Sequence, residues 1–341
     1  MRKVIIIIIG LIIVGCNTKQ EDGTVRRRHH RSILTPASSG NPYEVMVVME
    51  DSLWNGEIGV ATKEILEQPI PMLPQDEPMF HVSRVNPKRY DRITNLFRNI
   101  LVVRQNDMYT KVRMSAERNV FSDPQLIITI EGPNIDSLTS FIRKKEDRLP
   151  QLICGEEINR YATDLEFDHN VKVNKKCQEL FGCSIYVPQD LNKIKQGKDF
   201  LWVSNDGLST IQNICIYSYP YVSTKMFNAD AYMRLRNKIM MDNIPGGKPG
   251  QYMQTNPEYI YEKDLNIMGV YAKEYRGLWE MNGDDMGGPF VAHCEVDTIN
   301  NKVITVEAFV YAPSKMKRTM IRRLEAALYT LRLPNKKINT K

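Results

Sequence analysis

No Cys-x-x-Cys pair, no two histidines at helical spacing and no glycine-rich phosphate loop occur in the 341 residues. The first two absences argue against a structural zinc site, which draws its ligands from short Cys and His pairs. His29 and His30 are adjacent, whereas His81, His169 and His293 are scattered. His293 and Cys294 are neighbours on an expected strand, where successive side chains point to opposite faces. Pro245-Gly246-Gly247-Lys248-Pro249-Gly250 has its glycines and lysine at the wrong spacing, and Pro249 removes an amide where a phosphate cradle needs donors. It reads as a turn. Ser314-Lys315-Met316-Lys317 spells Ser-x-x-Lys, yet it opens an expected helix, where serine is an ordinary cap. No metal, cofactor or catalytic residue follows from these patterns, and the expectation is a non-enzymatic protein with the question of catalysis left open. Nor is there an apolar run of the ~20 residues that a membrane-spanning helix needs.

Strong charge of one sign is also missing. The formal net charge is +6, of which Arg2 and Lys3 contribute two, and acids and bases are interleaved, so nucleic acid is not an expected partner. With 42% hydrophobic and 25% charged residues, the composition is that of a globular protein. Setting Cys16 aside, the cysteines number five: Cys154, Cys177, Cys183, Cys215 and Cys294. An odd number leaves at least one unpaired. Buried free thiols are expected, with a Cys177–Cys183 disulfide as the alternative.

What is present starts at the N-terminus. Met1-Arg2-Lys3, the apolar stretch Val4 to Val14 and then Gly15-Cys16 form a short basic head, a hydrophobic segment and a small residue before a cysteine, the pattern of an export signal. Ile13-Val14-Gly15-Cys16 resembles the bacterial lipobox, which implies cleavage before Cys16 and acylation of it, palmitate included. Two or three acyl chains at about 0.8 kcal/mol per buried CH2 make a stable membrane anchor. Lys19-Gln20-Glu21-Asp22 resembles the signal that sends Bacteroidetes lipoproteins to the outer leaflet of the outer membrane. Arg26 to Arg31 reads as a solvated linker or as a headgroup contact.

The expected organisation is a signal peptide over residues 1–15, lipidated Cys16 and a flexible tether over 16–41, an N-terminal α+β half over 42–168, a strand-rich α+β half over 169–335 and a tail over 336–341. In the first half, strands are expected at 43–49, 80–85, 100–105 and 125–131, and helices at 56–67, near 90–97, from 134, and from Pro150, a residue tolerated in a first turn. In the second, a helix at 171–181 precedes strands at 183–187, 200–204, 211–219, 259–262, 269–280, 290–297 and 303–311, with helices at 228–241 and 314–331. Asn300-Asn301 suggests a hairpin turn. Met316, Met320, Leu324, Leu328 and Leu331 make an apolar stripe on the last helix. The fold class is α+β, with two-layer sheet-and-helix halves, and a distant duplication is left open because no residue-level repeat appears.

Several blocks carry a family resemblance: Gly40 to Met49 with Trp54 to Gly59, Leu73 to Phe80, Arg98-Asn99-Ile100, Asp123-Pro124-Gln125, Pro245-Gly246, Tyr252 to Thr255, Arg276 to Trp279, Met286 to Phe290, Phe309 to Pro313, and Lys317-Arg318. Together they resemble the Bacteroidetes lipoprotein family known as domain of unknown function 4837. The resemblance covers nearly all of the chain beyond the tether, departs at Phe121-Ser122, and implies a lipid-anchored outer-membrane protein, surface-exposed or periplasm-facing. It implies no reaction, cofactor or catalytic residue. Asp51-Ser52-Leu53, Asp136-Ser137-Leu138 and Asp297-Thr298-Ile299 resemble the acceptors for O-glycosylation of that phylum, at Ser52, Ser137 and Thr298.

The segment from Tyr275 to Phe290 invites a binding role, with Tyr275, Arg276, Trp279, Asp284 and Asp285 as its candidates. An indole stacks on a sugar face, and paired carboxylates bind or cleave a glycan. Tyrosines at 217, 219, 221, 232, 252, 259, 261, 271 and 275 add amphipathic contact area. The expected function is a binding or envelope-assembly module whose partners are the membrane, through its anchor, and an envelope protein or a glycan. The alternative is an envelope glycan or peptidoglycan hydrolase using Glu280, Asp284 or Asp285 near Trp279.

Overall fold

The computed structural model of the protein describes residues 35–205 and 207–334. Cys16, the leader, Lys19 to Asp22, Arg26 to Arg31 and the tail lie outside the described residues. Among the described residues no helix is long and apolar enough to cross a membrane.

The first half runs β1 (Glu44–Val48), α1 (Asp51–Trp54), α2 (Glu57–Leu66), β2 (His81–Val85), β3 (Asn99–Gln105), β4 (Arg113–Arg118), β5 (Leu126–Gly132), α3 (Ile135–Arg143) and α4 (Arg148–Phe167). Its sheet has the order β2-β1-β3-β5-β4, parallel except for β4. Near-continuous apolar runs in β1, β3 and β5 suit strands covered on both faces. Val45, Val47, Leu101, Val103, Ile128 and Ile130 pack under α2, α3 and α4, while Val48, Ile100 and Ile127 lie on the other face against Tyr90 and Phe97. α1 and α2 approach so closely that a Cβ at Gly59 would sit 1.9 Å from the Trp54 carbonyl oxygen, so only glycine fits there.

The second half runs α5 (Val171–Phe181), β6 (Lys193–Gly197), β7 (Phe200–Ser204), β8 (Ile211–Pro220), α6 (Ala229–Asn243), β9 (Tyr252–Ile267), β10 (Val270–Asn282), β11 (Gly287–Asp297), β12 (Lys302–Tyr311) and α7 (Arg318–Leu328). Its sheet is antiparallel throughout, in the order β6-β7-β8-β12-β11-β10-β9. Alternation along the strands sends Leu201, Ile214, Ile216, Ile304 and Val306 to one face under α5 and α7. Phe200, Cys215, Tyr217, Phe290 and Phe309 go to the other face, under α6. The class is α+β in two sheet-and-helix halves. The second half carries helices on both faces of its sheet, a third layer, and the two sheets do not share a topology.

Asn134, Asn170 and Asn228 each cap a helix, their Oδ1 accepting the N–H of Ser137, Val173 and Ala231. Several expectations need correction. Residues 90–97 form no α-helix, only 3-10 turns at Pro87–Arg89 and Thr94–Leu96. Cys183, Ile185 and Val187 are buried, but residues 183–187 make a single bridge, Ser184 to Arg332, so they are an extended core segment and not a strand. β4 and β6 are additional strands, polar because they lie at sheet edges. Ser314 does not cap α7, which starts four residues later, and Met316 is exposed. The cap comes from the other half: the Glu77 carboxylate accepts the backbone N–H of Lys317 (2.5 Å) and of Arg318 (2.9 Å).

Candidate functional site

The halves meet along α4 and α7, and a cavity of about 340 Å³ opens beside that contact. The first half supplies residues 68–71 and, from α4, Gln151, Cys154 and Gly155. The second supplies Tyr261 and Lys263 of β9, Glu274 and Arg276 of β10, and Arg322 and Glu325 of α7. The β9–β10 register sets Tyr261 opposite Arg276 and Lys263 opposite Glu274, so strand alternation alone points these four at the cavity.

Its floor is a buried ion network. Arg276 donates from Nε and Nη2 to both oxygens of Glu274 (2.7 and 3.0 Å), and Nη2 also donates to Glu325 Oε1. Burial would raise the Glu274 carboxyl, but the Arg276 guanidinium and His293 beside it hold it well below the usual carboxylate range. Burial would lower Arg276, and Glu274 and Glu325 lift it well above its ordinary value. Burial pushes the Cys154 thiol and the Tyr329 phenol up, so both stay protonated. Arg322 Nη1 donates to Glu325 Oε2 at 3.4 Å, and its Nε has no partner among the described residues although only 6% of the residue is exposed. Both carboxylates thus make hydrogen bonds to guanidinium groups, which fixes their orientation.

The candidates between Tyr275 and Asp285 do not come together. Arg276 faces α7 and the cavity. Tyr275 faces the opposite core, its ring 3.7 Å from that of Tyr232 and parallel to it. Trp279 is 2% exposed, edge-on to Phe309, with Nε1 donating to the Val310 carbonyl, so it offers no face for a sugar. Gly288 lies against that same carbonyl, where a Cβ would come within 2.1 Å. Glu280 is held by Gln254 (2.7 Å) and Asn256 (3.0 Å). Asp284 and Asp285 are exposed in the β10–β11 hairpin, and the Asp284 amide closes the turn onto Met281. The physical reason is strand alternation combined with an irregular register between Gly277 and Trp279, which disperse neighbours in sequence over both faces and one tip.

Of the tyrosines, Tyr217, Tyr232 and Tyr275 are buried, whereas Tyr259, Tyr261 and Tyr271 are exposed, Tyr261 at the cavity mouth. Ser52 and Thr298 are exposed, and Ser137 is half-buried in the first turn of α3. All five described cysteines are buried and free, with Cys177 and Cys183 at 3.4 Å between sulfurs. Among the described residues no three His, Cys, Asp or Glu side chains gather as a metal site. Cys154, Glu274, Arg322 and Glu325 are functional candidates that sequence reasoning missed. The signal available was Arg318, Arg322 and Glu325 at helical spacing on α7, a charged stripe beside the apolar one.

Residues 170–330 match the model of a family described as "Domain of unknown function (DUF4837)". The second half of the chain belongs to this family. Residues 38–166 match a different model, "Domain of unknown function (DUF8532)", so the blocks from Gly40 to Gln125 fall to that second family and the DUF4837 match does not extend over them. Cavity and ion network therefore lie where a DUF4837 unit meets a DUF8532 unit. No curated protein matches the chain. A crystal structure from Bacteroides thetaiotaomicron VPI-5482 is similar at 14% identity over 45% of this chain, with a TM-score of 0.20. The match spans 46% of that protein's length.

Proposed function

We propose that this protein is a lipid-anchored binding module of the bacterial outer membrane that holds its ligand in the cavity between the two halves. The observation that carries the reading is the cavity itself. It sits at a junction of two units, a preferred place for a ligand site, and is floored by buried charges fixed in position. The fixed orientation of Glu274 and Glu325 suits binding. Export and acylation at Cys16, surface display of the Bacteroidetes kind, and O-glycosylation at Ser52, Ser137 and Thr298 complete the proposal and rest on sequence pattern. An envelope protein or a glycan is the partner class this location offers.

Gly155 supplies the test. A Cβ there meets no heavy atom within 4 Å and Gly155 lines the cavity, so Gly155→Phe adds its ring at the cavity wall. A photo-reactive side chain at position 261 is expected to give a discrete crosslinked product in cells, and Gly155→Phe is expected to abolish it while the chain stays folded. An unchanged product in the Gly155→Phe background would remove the cavity from consideration. Incorporation of an alkynyl palmitate that is lost in Cys16→Ala tests the anchor, and proteinase K treatment of intact and lysed cells tests the membrane face.

A further inference from the structure

We propose that Cys177 and Cys183 close a disulfide when the chain folds in an oxidising medium, stapling the end of α5 to the extended core segment that follows it. This goes beyond the cavity reading and does not rest on it.

Both residues are buried thiols in the structure, and their sulfurs lie 3.4 Å apart, the one such contact between cysteines among the described residues. Local geometry imposes it. α5 ends at Gly182, whose φ of +72° lies in the left-handed region and whose N–H donates to the Gln178 carbonyl at 3.1 Å. Such a cap reverses the chain and brings the next residue back over the last turn of the helix, here Cys183 over Cys177. Two side chains of α5 then hold the returning segment. Asn174 Oδ1 accepts the Ile185 N–H at 3.2 Å, and Gln178 Nε2 donates to Ser184 Oγ at 3.1 Å. The sulfurs are thus kept together by bonds in which they take no part. An S–S bond is about 2.0 Å long, so closing it asks the two sulfurs to approach by little more than about 1 Å.

Burial decides when the bond forms. The Cys183 thiol and burial push the Cys177 thiol well above its ordinary value, so the folded pair keeps its protons. With exposures of 0% and 1%, neither sulfur meets an oxidant in the folded chain. The reaction therefore belongs to the chain before it has folded. One cysteine thiolate attacks a sulfur of an external disulfide and expels the other half as a thiolate. The second cysteine thiolate then attacks the protein sulfur of that mixed disulfide and expels the remaining half. Two electrons pass from the pair to the external disulfide, and the two protons that the cysteines lose end on the two released thiols. Folding then buries the bond out of reach of reductants. An exported chain, as proposed above, folds in a compartment that supplies such disulfides.

The test refolds the full chain in detergent from reducing urea into a mixture of oxidised and reduced glutathione, then alkylates it with iodoacetamide in urea. No lysine or arginine lies between Lys176 and Lys193, so trypsin releases both cysteines in one peptide, residues 177–193. Without reduction that peptide is expected to be lighter than its dithiol form by two hydrogen atoms and to carry no alkyl group, whereas the peptides of Cys154, Cys215 and Cys294 are alkylated. The folded, reduced chain placed in the same mixture is expected to form the bond at least tenfold more slowly. Dithiothreitol added to the oxidised chain in urea is expected to lower its unfolding midpoint, and to leave that of Cys177→Ala unchanged. If the chain does not regain its fold by circular dichroism, the reduced folded chain held in oxidised glutathione just below its urea transition must yield the same light peptide. A 177–193 peptide that carries two alkyl groups, or disulfides that join Cys177 or Cys183 to another cysteine, overturn the proposal. So does oxidation of the folded chain as fast as of the refolding one, which would remove the role assigned to burial.

Discussion

Glu295 on β11 is a buried carboxyl whose Oε1 has no partner among the described residues, and burial raises its pKa to about 7 against the pull of Arg332. A carboxyl whose folded pKa is raised contributes stability that is fully present below its unfolded pKa and is lost as pH rises toward and through about 7. Glu295→Gln is therefore expected to flatten the stability profile between about pH 5 and 8 and to raise stability at pH 8 by on the order of 2 kcal/mol. Urea titrations of both proteins across that range check it, and an unchanged slope would contradict the assignment. Glu274 has the opposite sign. Its lowered pKa contributes stability that is fully present above the unfolded carboxyl range and is lost progressively as pH falls from there into strong acid. At Gly155, Gly155→Ala is expected to add about 0.5–1 kcal/mol, because the site is helical and the new methyl group meets nothing. Thermal denaturation of the two proteins checks the sign.

Among the elements, α7 has the most to lose from a single change. It packs on its own sheet through Ile321, Leu324 and Leu328, contacts α4 of the other half, and receives its N-terminal cap from Glu77. A carboxylate at a helix N-terminus both fills orphan donors and meets the positive end of the helix dipole. Glu77→Ala is expected to cost about 1–3 kcal/mol, measured by chemical denaturation, with Glu77→Gln recovering part of it. The docking also accounts for two blocks distant in sequence. Gln75 accepts from Lys317 Nζ at 2.8 Å and the Pro78 carbonyl from Arg318 Nη1 at 2.8 Å, so 73–80 and 317–318 are two sides of one contact.

At the scale of the whole molecule, the contact between the halves makes their stabilities interdependent. Arg322 on α7 and Cys154 on α4 are both buried, on the two helices through which the halves pack. The excised second half, residues 169–334, would expose that surface, and its thermal midpoint is expected to fall below that of the full chain in calorimetry. Equal midpoints would mean that the contact contributes nothing to stability and that the cavity is a gap between independent units.

The parts of this fold that local physics decides were legible in the sequence. Apolar runs marked β1, β3, β5, β8 and β12, helical spacing marked α2, and the first turn of α4 accommodated Pro150, because periodicity and proline geometry act within a few residues. β4 and β6 escaped because edge strands are polar, and 183–187 misled because apolar content reports burial and not a hydrogen-bonded ladder. Tertiary structure alone decided the site. An arginine on an amphipathic helix reads as solvent-facing until another helix covers it, and Arg322, Glu274 and Cys154 stand on three separate elements that only the packing of the halves brings together. Trp279 shows the converse: conspicuous beside carboxylates in sequence, it belongs to the core because β-strand alternation turns it away from them.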